Sequence, residues 1–223
     1  MPPPSTALLI FFVAQVLALT AFWAWLGGWR VAAFLGGWLG VTGFAAQAGW
    51  LRFGIDSGTM PPPVVFVILP GVVITIALAF STWGKGLIAR AGLPLLIGYQ
   101  SFRILVECFL WWGHREGIVP VQMTWEGRNF DVLSGLLALP VAWLVFAGSG
   151  PRWVIWLWNC LGLGLLLNIV TVAILSMPTP FRQFSPANPF VAEAPFIWLP
   201  AFLVTSALFG HLLVFRRLQN MPQ

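Results

Sequence analysis

Apolar residues fall in blocks at about 7 to 27, 31 to 50, 62 to 82, 89 to 113, 132 to 148, 153 to 177 and 194 to 215. Each block is near the ~20 residues that a helix needs to cross a hydrocarbon core of roughly 30 Å. Backbone polar groups find no water in lipid, so blocks of this kind satisfy themselves as helices. The breaks between them carry turn chemistry: Gly27-Gly28-Trp29-Arg30, Arg52 to Pro63, Gly84-Lys85-Gly86, His114 to Asp131, Gly148-Ser149-Gly150-Pro151-Arg152 and Met177 to Glu193. The pattern predicts an all-α, polytopic membrane protein, a single domain over 1–223 built as a bundle of seven transmembrane helices. Met1 to Thr6 holds no Lys or Arg and the first block outruns a signal's hydrophobic region, so that block is expected to remain as a permanent helix.

Threading seven spans gathers Arg30, Lys85, Arg90, Arg152, Arg216 and Arg217 on one side with no acid. The other side receives Arg52, Arg115, Arg128 and Arg182 together with Asp56, Glu116, Glu126, Asp131 and Glu193. Cytoplasmic loops carry the Lys/Arg excess, so the amino terminus is expected outside and the carboxyl terminus in the cytoplasm. Trp23, Trp25, Trp29, Trp83, Trp153, Trp156 and Trp158 near inner helix ends read as an interfacial belt, as do Trp50, Trp111, Trp112, Trp125 and Trp198 near outer ends. Pro70, Pro140 and Pro200 lie inside spans, where each removes a backbone hydrogen bond and bends its helix.

Composition agrees. The chain is 59% hydrophobic and 8% charged, with a mean hydropathy of +0.90, which leaves too little polar surface to cover a water-soluble domain. The net charge of +5 comes from single, scattered cations, a distribution that excludes nucleic-acid binding. Cys108 and Cys160 fall at different depths, roughly 15 Å apart by helical rise, so no disulfide is expected between them.

Ionisable residues inside lipid are costly and tend to have functional reasons for being there, which makes the fourth span the most informative. Gln100, Arg103, Glu107, Trp111 and His114 fall within about 80° of one helix face, which must look into the bundle. Arg103 and Glu107 are four residues apart and are expected to pair along that face. Gln47 and Asn168 fall at similar depth and are expected to converge on them. The pair reads either as a buried lock that fixes helix packing or as a ligand or ion site. Gln15 and Asn159 read as isolated interhelical hydrogen-bonders, and His211 as interfacial.

The loop from His114 to Asp131 is the most polar part of the chain and would roof a cavity with His114, Glu126, Arg128 and Asp131. Asn129 or Asp131 would cap the fifth span, and for Asp131 capping is preferred over a place in the roof. Met177 to Glu193, rich in proline, reads as an ordered non-helical lid, with Arg182 meeting an acid across the opening. A metal centre drawn from His114, Glu116, Glu126 and Asp131 has no recognised ligand spacing, and Lys85 lies in a turn where it cannot hold a retinal. No cofactor or metal is expected.

Phe102-Arg103-Ile104-Leu105-Val106-Glu107, Met123-Thr124-Trp125-Glu126-Gly127-Arg128-Asn129-Phe130-Asp131 and Trp198-Leu199-Pro200-Ala201-Phe202 resemble a family of small uncharacterised bacterial seven-helix inner-membrane proteins. The resemblance covers most of the chain from the fourth span onward. It implies a multi-pass protein of the bacterial inner (plasma) membrane and carries no activity with it.

From the residues, the leading expectation is an outward-facing polar cavity, lined by Arg103, Glu107, Gln100, Gln47 and Asn168, that binds or transports a small polar or anionic solute. Glu107 would couple transport to protons. One alternative is a non-catalytic subunit or receptor-like module that docks a partner membrane protein or another copy of itself. Another is an enzyme embedded in the lipid bilayer, acting on a lipid or isoprenoid with Glu107, Glu116, Glu126 or Asp131 as general acid or base.

Overall fold

The computed structural model describes residues 2–52 and 60–220; Asp56, placed above on the outer side, lies outside them. The described residues form no β-strand. Their α-helices are α1 (Thr6–Gly27), α2 (Trp29–Gln47), α3 (Val65–Phe80), α4 (Thr82–Gly98), α5 (Phe102–Arg115), α6 (Val132–Phe146), α7 (Arg152–Leu175) and α8 (Val204–Gln219). A 3-10 turn, Tyr99–Ser101, carries α4 into α5, and a π-helical turn, Leu199–Leu203, leads into α8, so the segments make seven rods. Four rods are long and apolar enough to cross a membrane: Thr6–Gly27, Thr82–Arg115, Arg152–Leu175 and Leu199–Gln219. α3 and α6 are shorter apolar helices.

The turn expected at Gly84-Lys85-Gly86 is helical instead. The fourth rod breaks later, at Gly92, whose φ of 67° belongs to the left-handed region that glycine reaches without strain. Pro94 then falls in the first turn of the next stretch, where a missing N–H is tolerated. A short helix over 82–91, carrying Trp83, Lys85 and Arg90, therefore precedes the apolar run to Arg115.

α8 is the most enclosed rod: α3, α4 and α7 pack on it, while α1 rests on α2 and α5. Phe12, Phe109 and Phe196 meet with ring centroids 4.5 to 5.5 Å apart, joining α1 to α5 and to the segment before α8. Trp38 donates its indole N–H to Ala201 O and Trp198 donates to Leu39 O, both at 3.0 Å, which ties the middle of α2 to the π turn. Two tryptophans assigned to the belt are core residues: Trp23 and Trp158 are 4% and 3% exposed. Trp25, Trp29 and Trp153 lie on the surface as expected.

The two ends of the bundle are closed by different chemistry. At one end, three arginines donate to carbonyls left over by helix C-termini. Arg90 reaches Leu26 O at 3.3 Å, Arg152 reaches Leu218 O at 2.7 Å, and Arg216 reaches Ala79 O and Ser81 O at 2.7 and 2.6 Å. At the other end Ser5 caps α1 and donates its N–H and hydroxyl to Glu116 at 2.8 and 2.6 Å. Arg52 pairs with Glu193 at 2.9 Å, where Arg182 had been expected to meet an acid; Arg182 is exposed.

Two outcomes follow from these closures. Arg216→Ala should lower stability by about 1 kcal/mol through loss of the cation at the α3 terminus, a fall of ~2–4 °C in melting temperature. Arg217→Ala, on an exposed neighbour, should leave it unchanged in the same detergent melt. The bonds from Ser5 hold the Glu116 carboxyl below the usual carboxylate range. Its folded value is the depressed one, so the anchoring of α1 is complete above the ordinary Glu range and is lost as pH falls through the folded value. Amide exchange near Ser5 should accelerate on acidification in the wild type, whereas Glu116→Gln should exchange fast already at neutral pH.

Candidate functional site

An arginine side chain offers five N–H donors and no acceptor, so burying one requires five acceptors in the correct plane. Arg103, 2% exposed on α5, finds all five. Its Nε donates to Asp131 Oδ2 at 2.7 Å and one Nη2 proton goes to Asp131 Oδ1, a bidentate ion pair with the residue that opens α6. The other Nη2 proton goes to Gly162 O on α7 at 3.1 Å. Nη1 donates to Ser134 Oγ on α6 and to His211 Nε2 on α8, both at 2.7 Å.

The network continues outward in a fixed sense. A guanidinium only donates, so His211 Nε2 accepts and Nδ1 carries the ring proton toward Asn159 Oδ1 at 2.8 Å. Asn159 returns a bond from Nδ2 to His211 O at 3.1 Å. Trp158 donates to Ser134 O at 3.1 Å and lays its ring 5.3 Å from that of His211. Gly162 makes the crossing possible: a Cβ there would stand 2.5 Å from both Ser134 Oγ and His211 Cε1.

The expected Arg103–Glu107 pair does not form. Arginine preceding glutamate by four is the weaker order on a helix, and a bidentate carboxylate from α6 offers Arg103 more. Asp131 occupies the N-cap position of α6 yet makes no side-chain cap bond, because its oxygens face Arg103. Asn129 holds the turn instead, its Oδ1 accepting from Asp131 N at 3.0 Å. Asn129 Nδ2 donates to Glu107 Oε1 at 2.6 Å and to Met123 O at 3.0 Å. Glu107 Oε2 is buried and has no hydrogen-bond partner among the described residues.

Other expected members are scattered. Gln100 is buried beside the network, donating to Ala207 O at 2.9 Å, with Oε1 unpartnered. Gln47 and Asn168 do not converge on it: both are exposed, and Asn168 donates to Arg128 O at 2.8 Å. Arg128 sits over the Phe184 ring at 4.6 Å, Glu126 accepts from Trp111 Nε1 at 2.8 Å, and His114 Nδ1 lies 3.0 Å from Val119 O. These are loop contacts. His211, expected at the interface, is fully buried, and Asn159 belongs to a network rather than standing alone. Gln15 is buried without a partner. Ser134 was not singled out and His211 was misplaced because a serine and a lone histidine in apolar helices give no signal of which neighbour they face.

A cavity of about 220 Å³ adjoins the network, with Arg103, Glu107 and Asp131 in its wall and apolar residues elsewhere. It lies where α3 and α7 both pack on α8 but stand apart from each other, between Ile68 and Val72 on one side and Leu167 and Ile174 on the other. Leu167 and Ile174 are exposed. Buried Met123, Met177 and Val191 cover the end nearest the loops, where Gln122 donates to Pro186 O at 2.6 Å. Apart from Arg103, Glu107 and Asp131 its lining is apolar, where a polar lining had been expected.

Residues 61–219 match the family described as "Domain of unknown function (DUF8737)", and the chain belongs to that family. The match begins ahead of α3, earlier than the resemblance noted in the sequence. No curated protein and no solved structure matches the chain.

Removing one member of a buried ion pair strands the other. Arg103→Met should therefore cost about 3–5 kcal/mol, whereas Arg103→Met combined with Asp131→Leu should regain most of it. Detergent melts of the single and double variants make the comparison; a double variant no better than the single would show that the pair is not what stabilises this core.

Proposed function

We propose that this DUF8737 protein crosses the cytoplasmic membrane seven times, amino terminus outside, and holds a membrane-borne amphiphile in the cavity beside Glu107. The six cations and no acids at the end bearing Arg90, Arg152 and Arg216 support that end as cytoplasmic. α5 with the run before it from Gly92 supplies the fourth crossing, and the helix over 82–91 lies along the cytoplasmic surface.

The observation that carries the reading is Glu107, which stands in the wall of a mainly apolar cavity between α3 and α7 and whose buried Oε2 has no partner among the described residues. A buried polar oxygen of this kind costs free energy until it is paired. A molecule with a hydrocarbon body and one hydroxyl or amine head, of the lipid or isoprenoid class, fills the walls and supplies the missing hydrogen bond. Arg103 argues against a small anionic solute, since all five of its N–H groups are engaged within the protein.

The test is the complement of amphiphiles that co-purifies with the full chain, extracted and resolved by mass spectrometry. Wild type should retain a species that Leu166→Trp, which fills the cavity, excludes, and that Glu107→Ala holds roughly fivefold less well, the worth of one buried hydrogen bond. Identical complements from all three proteins would sink the proposal.

A further inference from the structure

A second hollow lies on the other flank of α8, apart from the Glu107 cavity. Its volume is about 410 Å³. One wall is a single face of α2, from Arg30 through Val31, Phe34 and Leu35 to Trp38; the facing wall is the Gly71, Ile74, Thr75, Leu78 face of α3. Phe202, Thr205 and Phe209 form its back.

The cause is visible in how α2 is held. Trp38 and Leu39 pin its middle to the segment around the π turn, and its principal neighbour otherwise is α1. Below that pin α2 stands away from α3, leaving a trench from Trp38 down to Arg30, about 12 Å at helical rise. Thr75, Thr205 and Ser206 are its hydroxyls, and Thr205 already donates to Ala201 O and Phe202 O. The hydrocarbon part of the trench offers almost nothing to a polar guest.

Its mouth is different. Arg30 and Trp83 stand there, at the end of the bundle where six cations meet no acid. Arg90, Arg152 and Arg216 are committed to helix carbonyls, whereas Arg30 is exposed, makes no hydrogen bond or ion pair among the described residues, and lies 5.7 Å from the Trp29 ring. A cation at headgroup level above an open apolar trench complements a phosphate carrying hydrocarbon chains.

We infer that the trench between α2 and α3 is a binding site for an anionic phospholipid of the leaflet facing the basic end, with an acyl chain along Phe34, Leu35, Ile74 and Leu78 and the phosphate at Arg30. The inference rests on the chain spanning a membrane. It is independent of the Glu107 cavity and of which side the basic end faces.

The full chain is placed in nanodiscs of equal phosphatidylglycerol and phosphatidylcholine, released, and its bound lipids counted by native mass spectrometry. Wild type should retain phosphatidylglycerol over phosphatidylcholine by roughly fivefold, the factor one cation near a headgroup supplies. Arg30→Gln should erase that preference and Arg30→Lys restore it, both on an exposed position. Thr75→Phe should lower the number of retained lipids whatever their headgroup, and Glu107→Ala should leave the phosphatidylglycerol preference intact. An unchanged preference in Arg30→Gln, an unchanged count in Thr75→Phe with a normal melt, or a stable dimer covering the trench would each overturn the assignment. Loss of the preference in Glu107→Ala would also overturn it, since the lipid would then occupy the other cavity.

Discussion

A guanidinium in the middle of a bundle with so little polar surface can exist only if its five protons and its charge are all answered, and this sets the geometry of half the molecule. The answers come from three other helices: Asp131 and Ser134 at the start of α6, the Gly162 carbonyl on α7 and His211 on α8. Because each acceptor has to lie in the plane of one side chain, α5, α6, α7 and α8 are fixed in rotation and height together. Apolar packing alone would leave helices sliding in lipid, which is as oily as they are. The directional network removes that freedom, and Gly162 lets α7 come near enough to complete it.

The order of helices and loops was legible in the hydrophobic blocks, because a long apolar run between turn signals satisfies its own backbone most readily as a helix. Boundaries shifted where local chemistry overrode composition. Gly92, in the left-handed region, divided the fourth rod into two helical stretches, and the Pro200 region became a π turn rather than a simple bend. The polar face of the fourth span was also legible, since Gln100, Arg103 and Glu107 are all buried on it. Its pairing was not. Spacing within one helix nominated Glu107 for Arg103, while the true partner sits 28 residues on, across a loop whose path no periodicity reveals. Depth arithmetic likewise grouped Gln47 and Asn168 with Arg103 but gave no azimuth; both are exposed, and Asn168 bonds the loop at Arg128 instead.

These placements change the character of the site. A polar stripe read from one helix implies a wet pocket, but the partners supplied by α6, α7 and α8 absorb nearly all the polar capacity and leave a greasy hollow with one unanswered oxygen. On the proposed function, that combination suits a guest that is itself mostly hydrocarbon. Both hollows flank α8, and the π turn at its start contributes Leu199, Pro200 and Leu203 to one and Ala201 and Phe202 to the other. Extra girth in that turn separates two faces of the helix that a regular α-turn would draw closer together.

The arginine plugs at the basic end carry a consequence for how the chain is made. On the proposed topology, positive charges are weighed during insertion before helices have found one another; afterwards the same guanidiniums of Arg90, Arg152 and Arg216 cap carbonyls at the ends of α1, α8 and α3. Biogenesis and durability thus draw on the same few atoms, so a mutation that redirects threading by deleting one of them also unseals a finished helix, and the two effects cannot be selected apart.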